Sequence, residues 1–199
     1  MRGPYKRYMG QLISSRVAGA LMFVGSAQFL VCMLIAECLY PNYSVAKNYI
    51  SELGALSAAT APLFNVSIIV LGLTAILAAY FLRRGKVITN RAFLGFLALC
   101  GIGCVGVGAF PMDSPIPYAH FIAALLAFLF GALAAIASFK FQKAPASYFS
   151  IILGVLSLLA LILFTARIDL GLGIGGIERM ISYPTLLWAM MFGGYLMKE

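Results

Sequence analysis

Residues 114–139 read SPIPYAHFIAALLAFLFGALAAIASF and contain no charged side chain. A helix of about 20 apolar residues can cross the roughly 30 Å hydrocarbon core of a bilayer, so this stretch predicts a transmembrane helix. Five further stretches lack charge over about 18 residues or more, the length expected of a membrane span. They lie at 17–36, 53–82, 92–112, 144–166 and 180–197. The sequence therefore predicts six transmembrane helices.

The composition excludes an ordinary soluble domain. Hydrophobic residues make up 63% of the 199-residue chain and charged residues only 10%, and the mean hydropathy is +1.00. About a quarter of the residues in a typical soluble domain are charged. We therefore predict an all-α polytopic membrane protein, a single domain formed by a bundle of six transmembrane helices. The predicted spans are approximately 17–39, 62–82, 92–110, 118–139, 146–166 and 178–197.

The basic residues are distributed unevenly between the two sides of the predicted bundle. The net charge is +8, and of the 14 basic residues only Lys47, Arg167 and Arg179 fall in or beside connections on the side opposite the N-terminus. Cytoplasmic connections of membrane proteins are enriched in Lys and Arg. We therefore expect a plasma-membrane protein with both termini in the cytoplasm. The basic excess then reflects topology and does not indicate binding to nucleic acid.

The acidic residues have the opposite distribution. Five of the six acidic residues fall at outer helix ends or in outer connections, and the single histidine, His120, lies on the same side. Acidic residues contribute little to membrane topology, so this second asymmetry needs another explanation. It directs the search for a functional site to the outer face. The five acidic residues are Glu37, Glu52, Asp113, Asp169 and Glu178.

The first outer connection contains a short amphipathic segment. A helix over residues 45–53 would place Asn48, Ser51 and Glu52 on one face and apolar side chains on the other. Such a helix could lie in the interface with its polar face toward water. Alternatively, its polar face could turn toward the bundle and cover a pocket. The sequence leaves both arrangements open.

Three further polar residues are predicted near the same end of the bundle. Asn65 falls in the first turn of the second helix, and Asp113 follows the third helix directly. His120 lies on a face of small residues in the fourth helix, and such faces pack against neighbouring helices, so His120 should point into the bundle. It could act there as a functional group or be satisfied by a backbone carbonyl or a single acid.

The fifth connection carries two pairs of opposite charge. Arg167 and Asp169 precede a glycine-rich segment, and Glu178 and Arg179 follow it. These residues could form structural salt bridges or converge at a binding site. The four cysteines form no Cys-x-x-Cys motif, and one histidine with scattered carboxylates is a poor metal-ligand set. We therefore expect no metal and no cofactor.

Several short motifs occur together along almost the whole chain. They are Asn48-Tyr49-Ile50-Ser51-Glu52-Leu53-Gly54, Phe64-Asn65, Gly108-Ala109-Phe110-Pro111 followed by His120, and Glu178-Arg179 ahead of Tyr183-Pro184 and Leu187-Trp188. In this order they resemble the prokaryotic and archaeal membrane family catalogued as domain of unknown function 998. The resemblance implies a six-helix integral membrane protein and favours the polar outer residues. It supplies no established activity.

Three kinds of function fit these residues. The first is recognition of a lipid head group or small molecule at the outer face, with ligand-binding residues at Asn48, Ser51, Asn65, Glu178 and Arg179. The second is a membrane hydrolase or transferase acting on lipid, with His120 as general base and Asp113 or Glu52 orienting it. The third is a transporter, or a structural protein whose outer loops bind a partner. The oligomeric state is left open.

Overall fold

The computed structural model describes residues 4–116 and 118–198, and these form an all-helical bundle without a strand. Two short 3-10 helices join the long ones; Ile50–Gly54, in the first connection, is called the cap helix, and the other is Ser138–Phe141. The six long helices are α1 Pro4–Leu39, α2 Ala61–Arg84, α3 Arg91–Ala109, α4 Ala119–Ala137, α5 Ala146–Thr165 and α6 Gly173–Lys198.

The predicted fold class, a polytopic membrane bundle of helices, is confirmed. Five of the helices are long and apolar enough to cross a membrane, judged by length and composition. The sixth, α6, carries Glu178 and Arg179 near its beginning and has no further charge before Lys198. Its 26 residues correspond to about 39 Å of helix at 1.5 Å per residue, which exceeds the thickness of a hydrocarbon core.

The first and last residues of helices α2 to α5 lie within two residues of the bounds of the predicted spans. Helices α1 and α6 begin earlier than predicted. α1 begins at Pro4, because the basic N-terminal segment continues the helix beyond its apolar part. α6 begins at Gly173, which has a positive φ of 74°. Glu178 and Arg179 therefore lie within α6 and do not open it.

The long helices form a closed ring. Each packs against the next in sequence, and α6 returns to pack against α1. Small residues permit the closest approaches, as at Gly103 of α3, where a Cβ atom would lie 2.3 Å from the backbone nitrogen of Ala127 in α4. Such close contacts stabilise the association of membrane helices, because the hydrophobic effect contributes little to helix packing inside lipid.

The amphipathic segment of the first connection is more irregular than predicted. In place of one helix over 45–53, a single turn at Ser44–Asn48 leads into the cap helix. The separation of polar and apolar side chains is nevertheless present. Ile50 and Leu53 are buried and belong to the core cluster that includes Phe64, so the cap helix packs over the end of the bundle. This end is called the capped end.

Candidate functional site

Arg179 joins three separate parts of the capped end. Its Nη2 donates to Oε1 of Glu37 in α1 at 2.5 Å and to the Tyr43 hydroxyl at 2.7 Å. Its Nη1 donates to the carbonyl oxygens of Gly175 at 2.9 Å and Val45 at 3.1 Å. Only 4% of the Arg179 side chain is exposed. The buried guanidinium is thus paired with Glu37 and fastens the first connection to α1 and α6.

Tyr43 completes this fastening from the first connection. Burial raises its pKa to about 12, although the neighbouring Arg179 acts in the opposite direction. The phenol is therefore protonated at neutral pH. Its hydroxyl accepts from Arg179 and donates to the carbonyl oxygen of Tyr49 at 3.0 Å, which holds the segment leading into the cap helix.

Glu52 and Asn48 stabilise the first connection internally. Oε1 of Glu52 accepts from the backbone N–H of Tyr49 at 2.8 Å, and Oε2 accepts from Nδ2 of Asn48 at 2.7 Å. Oδ1 of Asn48 accepts in turn from the backbone N–H of Ser44 at 2.9 Å. Neither side chain lines the cavities of the capped end described below.

Asn65 and Asp113 hold the other side of the first connection. Nδ2 of Asn65 donates to the carbonyl oxygen of Gly54 at 2.9 Å. Oδ1 of Asp113 accepts from the backbone N–H of Leu56 at 2.8 Å, and this bond lowers the pKa of the exposed carboxyl. Asp113 thereby ties the connection between α3 and α4 to the connection between α1 and α2.

The remaining predicted residues, Ser51, His120 and Glu178, line one chamber inside the ring. The chamber has a volume of about 110 Å³ and is bounded by the cap helix and by every long helix except α5. The three polar residues lie toward its capped end, because they belong to the cap helix and the first turns of α4 and α6. Its walls are mainly apolar and include Met22, Phe29, Phe64, Ile68, Leu97 and Trp188.

Among the described residues, Glu178 is the one acidic residue in the chamber wall. It is 5% exposed, and its Oε2 accepts from the backbone N–H of Ile50 in the cap helix at 2.6 Å. Among the described residues its Oε1 accepts no hydrogen bond, and the carboxyl group forms no ion pair. Arg179 follows Glu178 in sequence but forms its ion pair with Glu37. Glu178 therefore presents to the chamber a buried carboxyl group without a paired cation.

His120 is held by a carbonyl and not by a carboxylate. Its Nδ1 lies 2.8 Å from the carbonyl oxygen of Phe110. Because a carbonyl oxygen can only accept, Nδ1 carries a proton, and in the neutral ring Nε2 is left as an acceptor. The carboxylates of Asp113 and Glu52 are bound to backbone N–H groups. The structure thus does not assemble the predicted pair of a base and an orienting acid.

A second cavity lies beside the chamber at the capped end. It has a volume of about 640 Å³ and lies between α4, α5 and α6, and Arg167 and Asp169 form part of its rim. Both rim residues are exposed, and this cavity is called the mouth. The chamber and the mouth are adjacent, because five residues line both: Ser51, His120, Ala124, Phe128 and Glu178.

Ser26 and Trp188 are among the chamber residues that were not predicted to form the site. Ser26 of α1 is 1% exposed, and its Oγ has no hydrogen-bond partner among the described residues. The single tryptophan, Trp188 of α6, is 1% exposed and also lines the chamber. A hydroxyl inside the apolar run of α1 was a signal for Ser26. Trp188 belongs to the Leu187-Trp188 motif, but a tryptophan in an apolar helix is ordinarily a packing residue.

No candidate metal site forms in the described part of the chain, where His, Cys, Asp and Glu side chains do not gather in groups of three or more. Comparison with known proteins identifies a family. The model of the family described as "Protein of unknown function (DUF998)" matches residues 23–195, which confirms the resemblance carried by the motifs. Neither the curated proteins nor the solved structures gave a match.

Proposed function

The protein belongs to the DUF998 family of proteins of unknown function, and we propose that it binds an amphiphilic ligand, a lipid or a small molecule with an apolar part. The observation that carries this proposal is the chamber. A polar set formed by Ser51, His120 and Glu178 stands between an apolar interior and an open mouth.

The two parts of the cavity match the two parts of an amphiphile. Transfer of a methylene group from water into an apolar site stabilises binding by about 0.8 kcal/mol. A ligand already dissolved in lipid gains less, so selectivity must come from its polar group. Oε1 of Glu178 and Nε2 of His120 both lack a protein partner among the described residues. A ligand head group would supply the hydrogen bonds that these atoms lack.

Trp188 provides a direct test of occupancy. Bromine quenches tryptophan fluorescence at contact, and this chain has one tryptophan. We expect bromoundecanol, added to the protein in neutral detergent, to quench Trp188 in a saturable manner. Ala124→Phe should weaken this saturable component, because Ala124 lines both the chamber and the mouth. Leu125→Phe is the control, because Leu125 is exposed and lines neither cavity.

Two results would contradict the proposal. One is quenching that rises only in proportion to the bromoundecanol in the micelle, as expected when the probe reaches the tryptophan by collision from outside. The other is an equal response of the Ala124→Phe and Leu125→Phe proteins, since a blocked passage must affect a ligand in the chamber.

We also propose that the protein lies in the plasma membrane with the mouth facing outward and both termini in the cytoplasm. The distribution of Lys and Arg supports this orientation. The test uses a membrane-impermeant maleimide on intact cells, with exposed Cys38 replaced by Ser. We expect labelling of Asp169→Cys and none of Arg84→Cys. Labelling of Arg84→Cys alone would reverse the orientation.

A further inference from the structure

We infer that the ligand is an amphiphile with a cationic head group, an alkylammonium, whose positive charge pairs with Glu178. This inference rests on the proposed function and specifies the chemical class of its ligand. It follows from the charges at the capped end, from the kinds of polar atom in the chamber and from the position of Glu178 relative to Trp188.

The acidic and basic groups buried at the capped end are unequal in number. Among the described residues, Glu37, Glu178 and Arg179 lie there with at most 11% of each side chain exposed, and Arg179 is paired with Glu37. The second carboxyl group, that of Glu178, has no paired cation. No Lys or Arg of the described part of the chain lines the chamber. At the rim of the mouth, Arg167 and Asp169 carry opposite charges and cancel.

Ionisation of Glu178 has a cost that a cationic ligand would remove. A carboxylate taken out of water is strongly unfavourable unless a counter-charge or hydrogen bonds compensate it, and without them the carboxyl group takes up a proton. Oε2 of Glu178 is compensated by the backbone N–H of Ile50. Its Oε1 has no donor among the described residues, and a ligand ammonium would supply both the donor and the charge. An anionic head group would instead place two negative charges together in a medium of low polarity.

The polar atoms near Glu178 also favour a ligand that donates hydrogen bonds. In its neutral form His120 accepts at Nε2, and the hydroxyl of Ser51 has lone pairs that accept. An ammonium donates and never accepts, so it complements this set. Phe128 lines both the chamber and the mouth, and the face of an aromatic ring attracts a cation.

Because of its position, the fluorescence of Trp188 can report on a ligand whose head group binds at Glu178. Glu178 and Trp188 lie ten positions apart on α6, which is about 15 Å along the helix at 1.5 Å per residue. Both line the same chamber. An alkyl chain that enters the chamber from an ammonium held at Glu178 extends toward Trp188, and a bromine at its far end comes close to the indole. The chamber, at about 110 Å³, must widen to admit a chain of this length.

The experiment compares three probes with the same chain and different heads: bromoundecylammonium, bromoundecanol and bromoundecanoate. Trp188 quenching is titrated in neutral detergent, and each curve is corrected for partition of the probe into the micelle. We expect the ammonium to reach half-saturation at a concentration at least tenfold below that of the alcohol. The carboxylate should bind more weakly than both.

Two variants test whether the preference for the ammonium over the alcohol depends on the carboxyl group of Glu178. Glu178→Gln retains an oxygen for the Ile50 N–H and removes the charge, so the ammonium and the alcohol should then saturate at similar concentrations. Asp113→Asn likewise retains an oxygen for the Leu56 N–H and removes an exposed carboxylate that lines neither cavity, so it should leave the preference in place. A preference lost in Asp113→Asn and retained in Glu178→Gln would overturn the assignment.

The wild-type titrations decide the inference without any variant. Equal half-saturation by the ammonium and the alcohol, or tighter binding of the carboxylate, would overturn the cationic head group and leave amphiphile binding intact. Absence of saturable quenching by all three probes would overturn both proposals. An ammonium preference that persists undiminished in a folded Glu178→Gln protein would overturn the role of Glu178.

Discussion

Replacement of Arg179 should destabilise the protein more than replacement of any exposed basic residue. The guanidinium is almost fully buried and holds Glu37, Tyr43 and backbone carbonyls of two segments. Arg179→Met keeps the apolar stem and removes the charge and the donors. Glu37, only 11% exposed, would then be a buried carboxylate without a counter-charge.

The expected magnitude follows from this geometry. Removing one partner of a buried ion pair costs about 3–5 kcal/mol, mostly because the other charge is left uncompensated. Glu37→Gln, introduced together with Arg179→Met, removes that charge. The double variant should therefore lose less than the sum of the two single losses, by about 0.5–3 kcal/mol. The Tyr43 hydroxyl and the carbonyl oxygens still lose their donors, so the double variant should not regain full stability.

The assay is equilibrium unfolding of the four proteins in mixed micelles with increasing denaturing detergent, followed by helical circular dichroism. Arg167→Met serves as the matched control, because Arg167 is exposed and should change the free energy of unfolding by about 0.5 kcal/mol or less. A loss below about 1 kcal/mol in Arg179→Met, or single losses that simply add, would contradict a buried and coupled ion pair. Either result would mean that the pair is hydrated or that Glu37 finds another partner.

Two further predictions concern the capped end. Gly175→Ala should destabilise the protein by about 1–3 kcal/mol, because the added Cβ would lie 2.1 Å from the carbonyl oxygen of Asn48. Gly194→Ala in the same helix is the control, because its Cβ would meet no atom within 4 Å. Equal unfolding curves for the two variants would contradict the close approach at Gly175. Because the folded-state pKa of Asp113 is below its unfolded value, its stabilising bond to the Leu56 N–H is present above the unfolded pKa and lost as pH falls through the folded pKa. The first connection should therefore be cleaved faster by a protease as the pH falls, and Asp113→Asn should remove this pH dependence. If the rate of cleavage in Asp113→Asn still rises in acid as in the wild type, another group causes the acceleration.

The membrane fold was predictable because its signals are local. A span needs a run of apolar residues of a certain length, and each run can be read without knowing its neighbours. The grouping of polar residues at one end was predictable for the same reason, since alternate connections must lie on the same side. Of these predicted polar residues, Ser51, His120 and Glu178 line the chamber, while Asn48, Glu52, Asn65 and Asp113 hold the connections together.

The glycines before Glu178 are compatible with two structures, a turn or a close contact between segments. The sequence favoured a glycine-rich turn ahead of the last helix, but the structure places Gly175 inside α6, where the backbone of the first connection lies against it. A glycine required for a turn and a glycine required for close approach look the same in one sequence. Only the neighbouring segment, more than a hundred residues away in the chain, distinguishes them.

By itself the sequence determined the helices, their number and the end of the bundle at which the polar residues gather, because apolar length and charge are properties of single segments. Only the tertiary structure decided what each polar residue does. Glu178 and Arg179 are adjacent in sequence, but successive side chains on a helix point about 100° apart. Glu178 therefore faces the chamber without a paired cation, while Arg179 reaches Glu37 in α1 and forms an ion pair with it.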